Sequence, residues 1–365
     1  MKRTLVLLLI ACILTGCDSS AHIENQAHAV SIGLDLLDDE IRMSVQVPTI
    51  GGKSSGDDSS GRTVSYSIYS AAGPDFPSAY SLLTATIPEK LNLTQLKIIV
   101  LSQSLAESDR FLPTLTELMH IYELSSAATV IVSGTSAQEM LKNQRTLIGT
   151  HLSVSMPAML ENYEKSGYIP LTSLSSLYAG MKGVYSTQKA AFGSVSEDAV
   201  SGSLIAGTLN RDGENKNEYM GCALFGRERM VGVLNGYETQ LLHLLEGKHV
   251  KISSIQGFSS VAAEPIGRPR VDIQSVKEDT RIQIRLTLGA TPLTRSVNAE
   301  ALKNRLTSDI AGVIGKCQRL NAEPFGFSEI AVRDFKTNME WEESDWLNRF
   351  CSADISVMVD ITVFN

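Results

Sequence analysis

Cys17 ends the run Leu14-Thr15-Gly16-Cys17, and its type and setting make it the strongest candidate in the chain for covalent chemistry. Lys2 and Arg3 give a positive start, Thr4 to Ile13 form a nearly continuous apolar stretch, and two small residues precede the thiol. That order reads as a secretory signal with a lipoprotein-type cleavage site. Small side chains before Cys17 let a peptidase reach the backbone, and the thiol would carry a diacylglyceryl group through a thioether. Two acyl chains (palmitate) on one residue anchor a protein stably where a single chain binds only marginally. A spanning helix needs about 20 apolar residues, and this run is about half that length before Asp18 ends it. The expectation is a signal peptide over 1–16 and a mature chain from lipidated Cys17, held on the outer face of a bacterial cytoplasmic membrane.

Other chemical signals are weaker. Gly52-Lys53-Ser54-Ser55-Gly56 matches the G-x-S-x-G pattern of a hydrolase nucleophile. That motif needs a strand before it and a helix after it, and Asp57-Asp58-Ser59-Ser60-Gly61 is turn material, so the stretch reads as a loop. The same Gly52-Lys53-Ser54 fails as a phosphate loop because Val47 stands where the first glycine is required. Glu340, Glu342, Glu343 and Asp345 surround Trp341 and Trp346 and read as an exposed acidic segment pinned by two aromatic anchors. Asp38-Asp39-Glu40 reads as a hairpin tip. The six histidines form no ligand set, and His243 is expected to face solvent or a partner. No catalytic residue, metal site or cofactor is expected. Of the cysteines that remain after Cys12 and Cys17, an odd three (Cys222, Cys317, Cys351) exclude a complete disulfide framework. Cys222 reads as a small core residue, and a Cys317–Cys351 bridge stays open.

These groups must be held by a sizeable body. The chain has 365 residues, 43% of them hydrophobic and 20% charged, with net charge −8. Loss of residues 1–16 removes two bases and no acid, leaving 30 basic against 40 acidic residues, a net −10. An acidic body without a basic run argues against nucleic acid and against electrostatic docking on anionic lipid. A length near 349 mature residues implies two or three domains. The pattern assigns an N-terminal α/β domain to 17–195, as one unit or two, and a C-terminal α+β domain to 201–365. The fold class is α+β (mixed α/β), multi-domain, with mixed or antiparallel sheets carrying packed helices.

The first region opens with a predicted hairpin, Ala29–Leu37 with Ile41–Val47, in which Ile41, Met43, Val45 and Val47 alternate with polar residues as in a half-buried strand. Arg62–Ala71, Leu96–Leu101 and Ala128–Ser133 read as strands. Asp75 and Pro77 start a helix, Gln103–Tyr122 is expected as one helix, and Thr135 with Gln138 suggests a capping box for a helix through Lys142. Met156–Ser166 and Leu171–Met181 look helical, and Gly183–Ser203 looks like a loop at the boundary. The second region is expected to hold strands at Ser203–Leu209, Tyr219–Phe225, Met230–Leu234, Val250–Ile255, Val271–Val276, Arg281–Leu288 and Ile355–Val363. Helices are expected at Tyr237–Glu246, stopped by Gly247, and at Asn298–Leu320.

Gly221-Cys222-Ala223-Leu224-Phe225, then Met230-Val231-Gly232-Val233-Leu234-Asn235, then Glu238-Thr239 carry a family resemblance. Their order resembles the Ger(x)C spore-germination lipoproteins: a G-x-A-x-F strand, a turn at Gly226–Arg229, a glycine-bearing strand, and a Glu-Thr pair opening a helix. In that pattern Gly232 marks a close backbone approach and Glu238 suits a helix's first turn. Ile23-Glu24, Ile32-Gly33-Leu34-Asp35, Phe325-Gly326-Phe327, Trp341 and Trp346 resemble further family segments. Asp18 departs from it, since a tryptophan commonly follows the lipidated cysteine. Gly221, Phe225, Gly232, Leu234, Glu238 and Thr239 are expected to be structural.

The resemblance implies a lipid-anchored, non-catalytic subunit of a nutrient germinant receptor at the spore inner membrane. Its partners would be the integral A- and B-type subunits of the same receptor. Two other readings stay open: a solute-binding envelope lipoprotein of a transporter, and an envelope hydrolase using Ser54 or the acidic cluster.

Overall fold

The computed structural model describes residues 26–49, 65–121, 123–144, 151–183, 188–196, 204–209, 215–253, 255–258, 261–276, 279–292 and 298–364. Its first half is built on an eight-stranded mixed sheet. The strands are β2 (Ser31–Leu37), β3 (Glu40–Thr49), β4 (Ser65–Gly73), β6 (Ile98–Ser102), β7 (Thr129–Ser133), β8 (Lys189–Val195), β9 (Asn217–Phe225) and β10 (Met230–Leu234). Their order is β10-β9-β8-β7-β6-β2-β3-β4. The pairs among β2, β6, β7 and β8 are parallel and the flanking pairs antiparallel. Two short strands, β1 (Gln26–His28) and β5 (Lys90–Asn92), pair beside it.

Alternation along these strands feeds the first core on one face and a smaller apolar cluster on the other. Ile32, Leu34, Met43, Val45, Ile99, Leu101, Val130 and Val132 point to one side. There they meet α1 (Phe76–Thr86), α2 (Gln103–Glu107), α3 (Phe111–Met119) and α6 (Leu174–Lys182). Val30, Ile98, Val100 and Ile131 point to the other side, toward α4 (Ala137–Lys142) and α5 (Leu152–Lys165). Continuous apolar runs in β6 and β7 follow from this double coverage.

Several expectations are corrected here. β3 is covered on both faces, with Ser44 and Gln46 buried, and Gln46 Nε2 donates to the Leu141 carbonyl of α4 at 3.2 Å. The helix expected over Gln103–Tyr122 breaks into α2 and α3, where the Ser108 hydroxyl donates to the Leu105 carbonyl at 2.8 Å and closes the first turn early. α4 is capped by Ser136, not Thr135, its hydroxyl accepting the Glu139 N–H at 3.1 Å. The stretch Gly183–Ser203 contains β8, whose Ala190, Ala191 and Gly193 look like loop residues but are buried, with no room for a side chain at Gly193. A Cβ on Gly193 would lie 2.6 Å from Met140 Cε and 2.9 Å from the Glu218 carbonyl. Residues 204–209 are turns, not a strand; the buried Glu218 carboxylate accepts the N–H groups of Gly207 and Leu209 there.

The hairpin tip at Asp38-Asp39 is as expected and exposed, both residues with positive φ (45° and 72°) as a two-residue type I′ turn requires. Ile32-Gly33-Leu34-Asp35 fixes α4 to β2. Gly33 leaves room for Ala137 and Leu141. The Asp35 carboxylate accepts from the Ala137 and Gln138 N–H groups at 2.7 and 3.1 Å, and from Arg42 at 2.9 Å.

The second core is built around a four-stranded sheet of β11 (Val261–Pro265), β12 (Arg270–Val276), β13 (Asp279–Pro292) and β14 (Asp354–Val363). Long α8 (Ala299–Arg319), N-capped by Asn298, buries Leu302, Leu306, Ile310, Val313, Ile314 and Cys317 against it. The expected strand at Val250–Ile255 is reduced to one bridge, Ile252 to Ala263. α7 (Gly236–Leu245) puts its apolar residues into this core and ends at Gly247, which has φ +74. Short helices α9 (Phe327–Ala331), α10 (Asn338–Glu343) and α11 (Trp346–Ser352) lead into β14. Cys222, Cys317 and Cys351 are free thiols, so the open Cys317–Cys351 bridge is not made.

Candidate functional site

Cys17 with Leu14, Thr15 and Gly16, and Ser54 in its glycine-rich stretch, lie outside the described residues. The motif residues Gly221, Phe225, Gly232, Leu234, Glu238 and Thr239 are brought together on β9, β10 and α7, at the seam between the two cores.

All nine residues of β9 are buried, because its two faces serve different cores. Ala223 and Phe225 enter the first core and Cys222 and Leu224 the second. Phe225 stacks on Phe111 with ring centroids 5.0 Å apart. Leu234 pairs with Cys222 in the β9–β10 register and is fully buried in the second core. Gly221 has φ +125, and its N–H donates to the Tyr168 carbonyl at 2.9 Å. A Cβ there would lie 2.5 Å from the Leu234 carbonyl oxygen. The close backbone approach expected at Gly232 is therefore made by Gly221. Gly232, next to a register shift, faces the Leu320 side chain instead, its would-be Cβ 2.7 Å from Leu320 Cδ1.

Asn235 and Glu238 form a reciprocal capping box. Asn235 Oδ1 accepts the Glu238 N–H at 2.9 Å, and Glu238 Oε2 accepts the Asn235 N–H at 2.8 Å. The same oxygen takes a bond from Lys316 of α8 at 2.7 Å, and the Thr239 hydroxyl donates to the Asn235 carbonyl at 2.7 Å. One carboxylate thus closes the start of α7, complements its positive end and ties it to α8. Tyr237 adds a bond to Asp309 at 2.7 Å; burial and that carboxylate push its hydroxyl pKa upward.

His243 is fully buried, correcting the expectation that it faces solvent or a partner. The apolar residues of α7 lie in the second core, and the turn after α5 lies against Gln240, so even polar positions of the helix are covered. Neither ring nitrogen has a hydrogen-bond partner, and burial, with Lys248 and Lys189 nearby, lowers its pKa to about 3. Glu246, one turn on, pairs with Lys189 of β8 at 2.7 Å. Lys189 also donates to the Pro324 carbonyl at 2.9 Å, and Lys248 pairs with Glu164 of α5 at 3.2 Å. These bonds cross the seam.

The turn at Lys165–Tyr168, the Gln240 side chain of α7, the segment Lys251–Ser253 and Ala262 line an open cleft of about 380 Å³. Gln240 is 1% exposed; its Nε2 donates to the Ser166 carbonyl at 2.8 Å and its Oε1 has no partner. A second cleft of about 350 Å³ borders Phe325-Gly326-Phe327. Behind it, the fully buried Glu323 carboxylate accepts the N–H groups of Phe325, Phe327 and Ser328 at 2.9, 3.1 and 3.1 Å. Burial raises its pKa, and those N–H bonds oppose the rise. Trp341 and Trp346 are buried and stacked 5.8 Å apart, with Glu340, Glu342 and Glu343 exposed around them. Among the described residues no group of three or more His, Cys, Asp or Glu is placed to hold a metal, and no helix is long and apolar enough to cross a membrane.

The sequence reading missed Asn235 as the cap, although Asn235-x-x-Glu238 spells it. It also missed Asp35, Glu323 and the Lys189–Glu246 pair, which join segments with no local pattern in common.

Comparison with known proteins gives matches over the same span. Residues 19–187 match the "Spore germination protein N-terminal domain" model, and residues 220–365 match "Spore germination B3/ GerAC like, C-terminal". A Bacillus subtilis (strain 168) protein named "Putative spore germination protein YfkR" is 19% identical over 406 residues, covering 100% of this chain and 97% of that protein. The crystal structure of the GerBC protein shares the fold, with TM-score 0.54 at 12% identity, over 92% of this chain and 97% of that one. With both halves of the family pattern present in order on this fold, the chain belongs to the Ger(x)C family of spore germination proteins.

Proposed function

We propose that this protein is a lipid-anchored, non-catalytic subunit of a nutrient germinant receptor at the spore inner membrane. Diacylglyceryl-Cys17 tethers the body on the outer face of the bilayer, beside integral A- and B-type subunits, and raises their effective concentration for assembly. The domains we assign are 17–195 and 201–365, after removal of 1–16. The reading rests chiefly on one observation: the family match starts at residue 19, two positions past Cys17, and its two halves run in order to residue 365. In it, Gly221, Phe225, Gly232, Leu234, Glu238 and Thr239 hold the seam and touch no substrate. The test is a Cys17→Ala strain with normal amounts of the protein. Loss of membrane retention together with impaired nutrient germination is expected. Unchanged retention and unchanged germination would overturn the tether.

A further inference from the structure

The cleft of about 380 Å³ draws one wall from each region of the chain. Lys165, Ser166 and Tyr168 come from the turn after α5, and Gln240, Lys251 and Ser253 from α7 and the segment after it. The motif residues shape it. The Gly221 N–H holds the Tyr168 carbonyl. Gly167, with φ +77, lets that turn press on Val250. The Asn235–Glu238 cap sets the start of the helix that carries Gln240. Lining the cleft are two lysines and no carboxylate. Both lysines are exposed and, among the described residues, have no ion-pair partner. The hydroxyls of Tyr168 and Ser253 also lack partners there.

We propose that this cleft binds a small hydroxylated anion, a hydroxy acid or a polyol phosphate. Lysine ammonium groups are mobile point charges with three donors each, suited to the spread oxygens of a carboxylate or phosphate. Hydroxyls on the ligand exchange bonds with Tyr168 and Ser253, whose own hydroxyls have no protein partner among the described residues. The volume falls in the range of small-molecule sites. Because the walls belong to different regions, occupancy clamps the seam. This inference goes beyond the receptor reading and does not depend on the anchor.

The test is calorimetry and thermal unfolding of the mature chain with D-gluconate and glycerol 3-phosphate as probes. Glycerol supplies hydroxyls without charge, and inorganic phosphate supplies charge without carbon-borne hydroxyls. At least one probe is expected to bind and raise the unfolding temperature, with both controls about tenfold weaker or more. Lys165→Met and Lys251→Met should each weaken binding about tenfold, the effect of losing one charge-assisted bond. Both side chains are exposed, so the free variants should unfold at the wild-type temperature. Failure of both probes to bind would overturn the proposal. So would binding that survives both substitutions, or inorganic phosphate binding as tightly as the better probe. None of these results touches the Cys17 tether, which is read by membrane retention.

Discussion

Replacing Gly221 by alanine tests whether this motif glycine is present for its backbone. Its φ of +125 lies outside the basins open to side-chain-bearing residues. Holding another residue in such a region costs about 1–3 kcal/mol. The new Cβ would also lie 2.5 Å from the Leu234 carbonyl oxygen, which belongs to the paired strand β10 and cannot swing aside. Overpacking of this kind adds about 1–3 kcal/mol, so Gly221→Ala should lose about 2–6 kcal/mol in all. Two other glycines calibrate the reasoning. At Gly232 the obstacle is the tip of the Leu320 side chain, which can change rotamer, so Gly232→Ala should cost less than about 1.5 kcal/mol. Gly312 is exposed in the middle of α8 with nothing within 4 Å of a would-be Cβ. Gly312→Ala should therefore stabilise the protein by about 0.4–1 kcal/mol. Urea unfolding of the protein, followed by circular dichroism, gives all three values. A Gly221→Ala protein within about 0.5 kcal/mol of wild type, or a Gly232→Ala cost equal to that of Gly221→Ala, would refute the argument.

Removing the cap with Asn235→Ala should cost about 1 kcal/mol. Glu238→Ala should cost more than Asn235→Ala, because it also strips Lys316 of its partner; equal losses in urea unfolding would contradict the shared role of that carboxylate. Stability should also depend on pH through His243. Its folded pKa, about 3, lies below the ordinary 6.5, so between those values the unfolded chain binds the extra proton. The stabilisation is complete above pH 6.5 and declines as pH falls toward 3, by about 2 kcal/mol from pH 7 to pH 5. His243→Gln should remove that part of the pH dependence, and an unchanged slope in the variant would count against it.

How much was legible in the sequence depended on whether a pattern was local. Leu302, Leu306, Ile310, Val313 and Ile314 mark α8 to within a residue, and the alternation Ile282, Ile284, Leu286, Leu288 marks β13. Each element buries one face, so its period is visible in the sequence. β8 was hidden because the constraint on Gly193 is the pressure of Met140 and the Glu218 carbonyl, which lie elsewhere in the chain. α9 to α11 were hidden because helices of five to seven residues are too short to show a period. His243 was misread for a related reason: a polar residue on a helix suggests solvent unless both sides of that helix are known to be covered.

The order and spacing of motifs from Cys17 to Trp346 were enough to point to the family, and apolar periodicity was enough to set the class of fold. Both are properties of neighbours along the chain. The tertiary structure decided that β9 and β10 extend the first region's sheet while also facing the second core, and that Gly221, Glu238 and Gln240 meet at one seam. It also decided that Asp35 accepts the first two N–H groups of α4, about a hundred positions away in the chain. Those facts depend on which surfaces meet after folding, and a carboxylate's sequence neighbours do not say whose N–H it will accept.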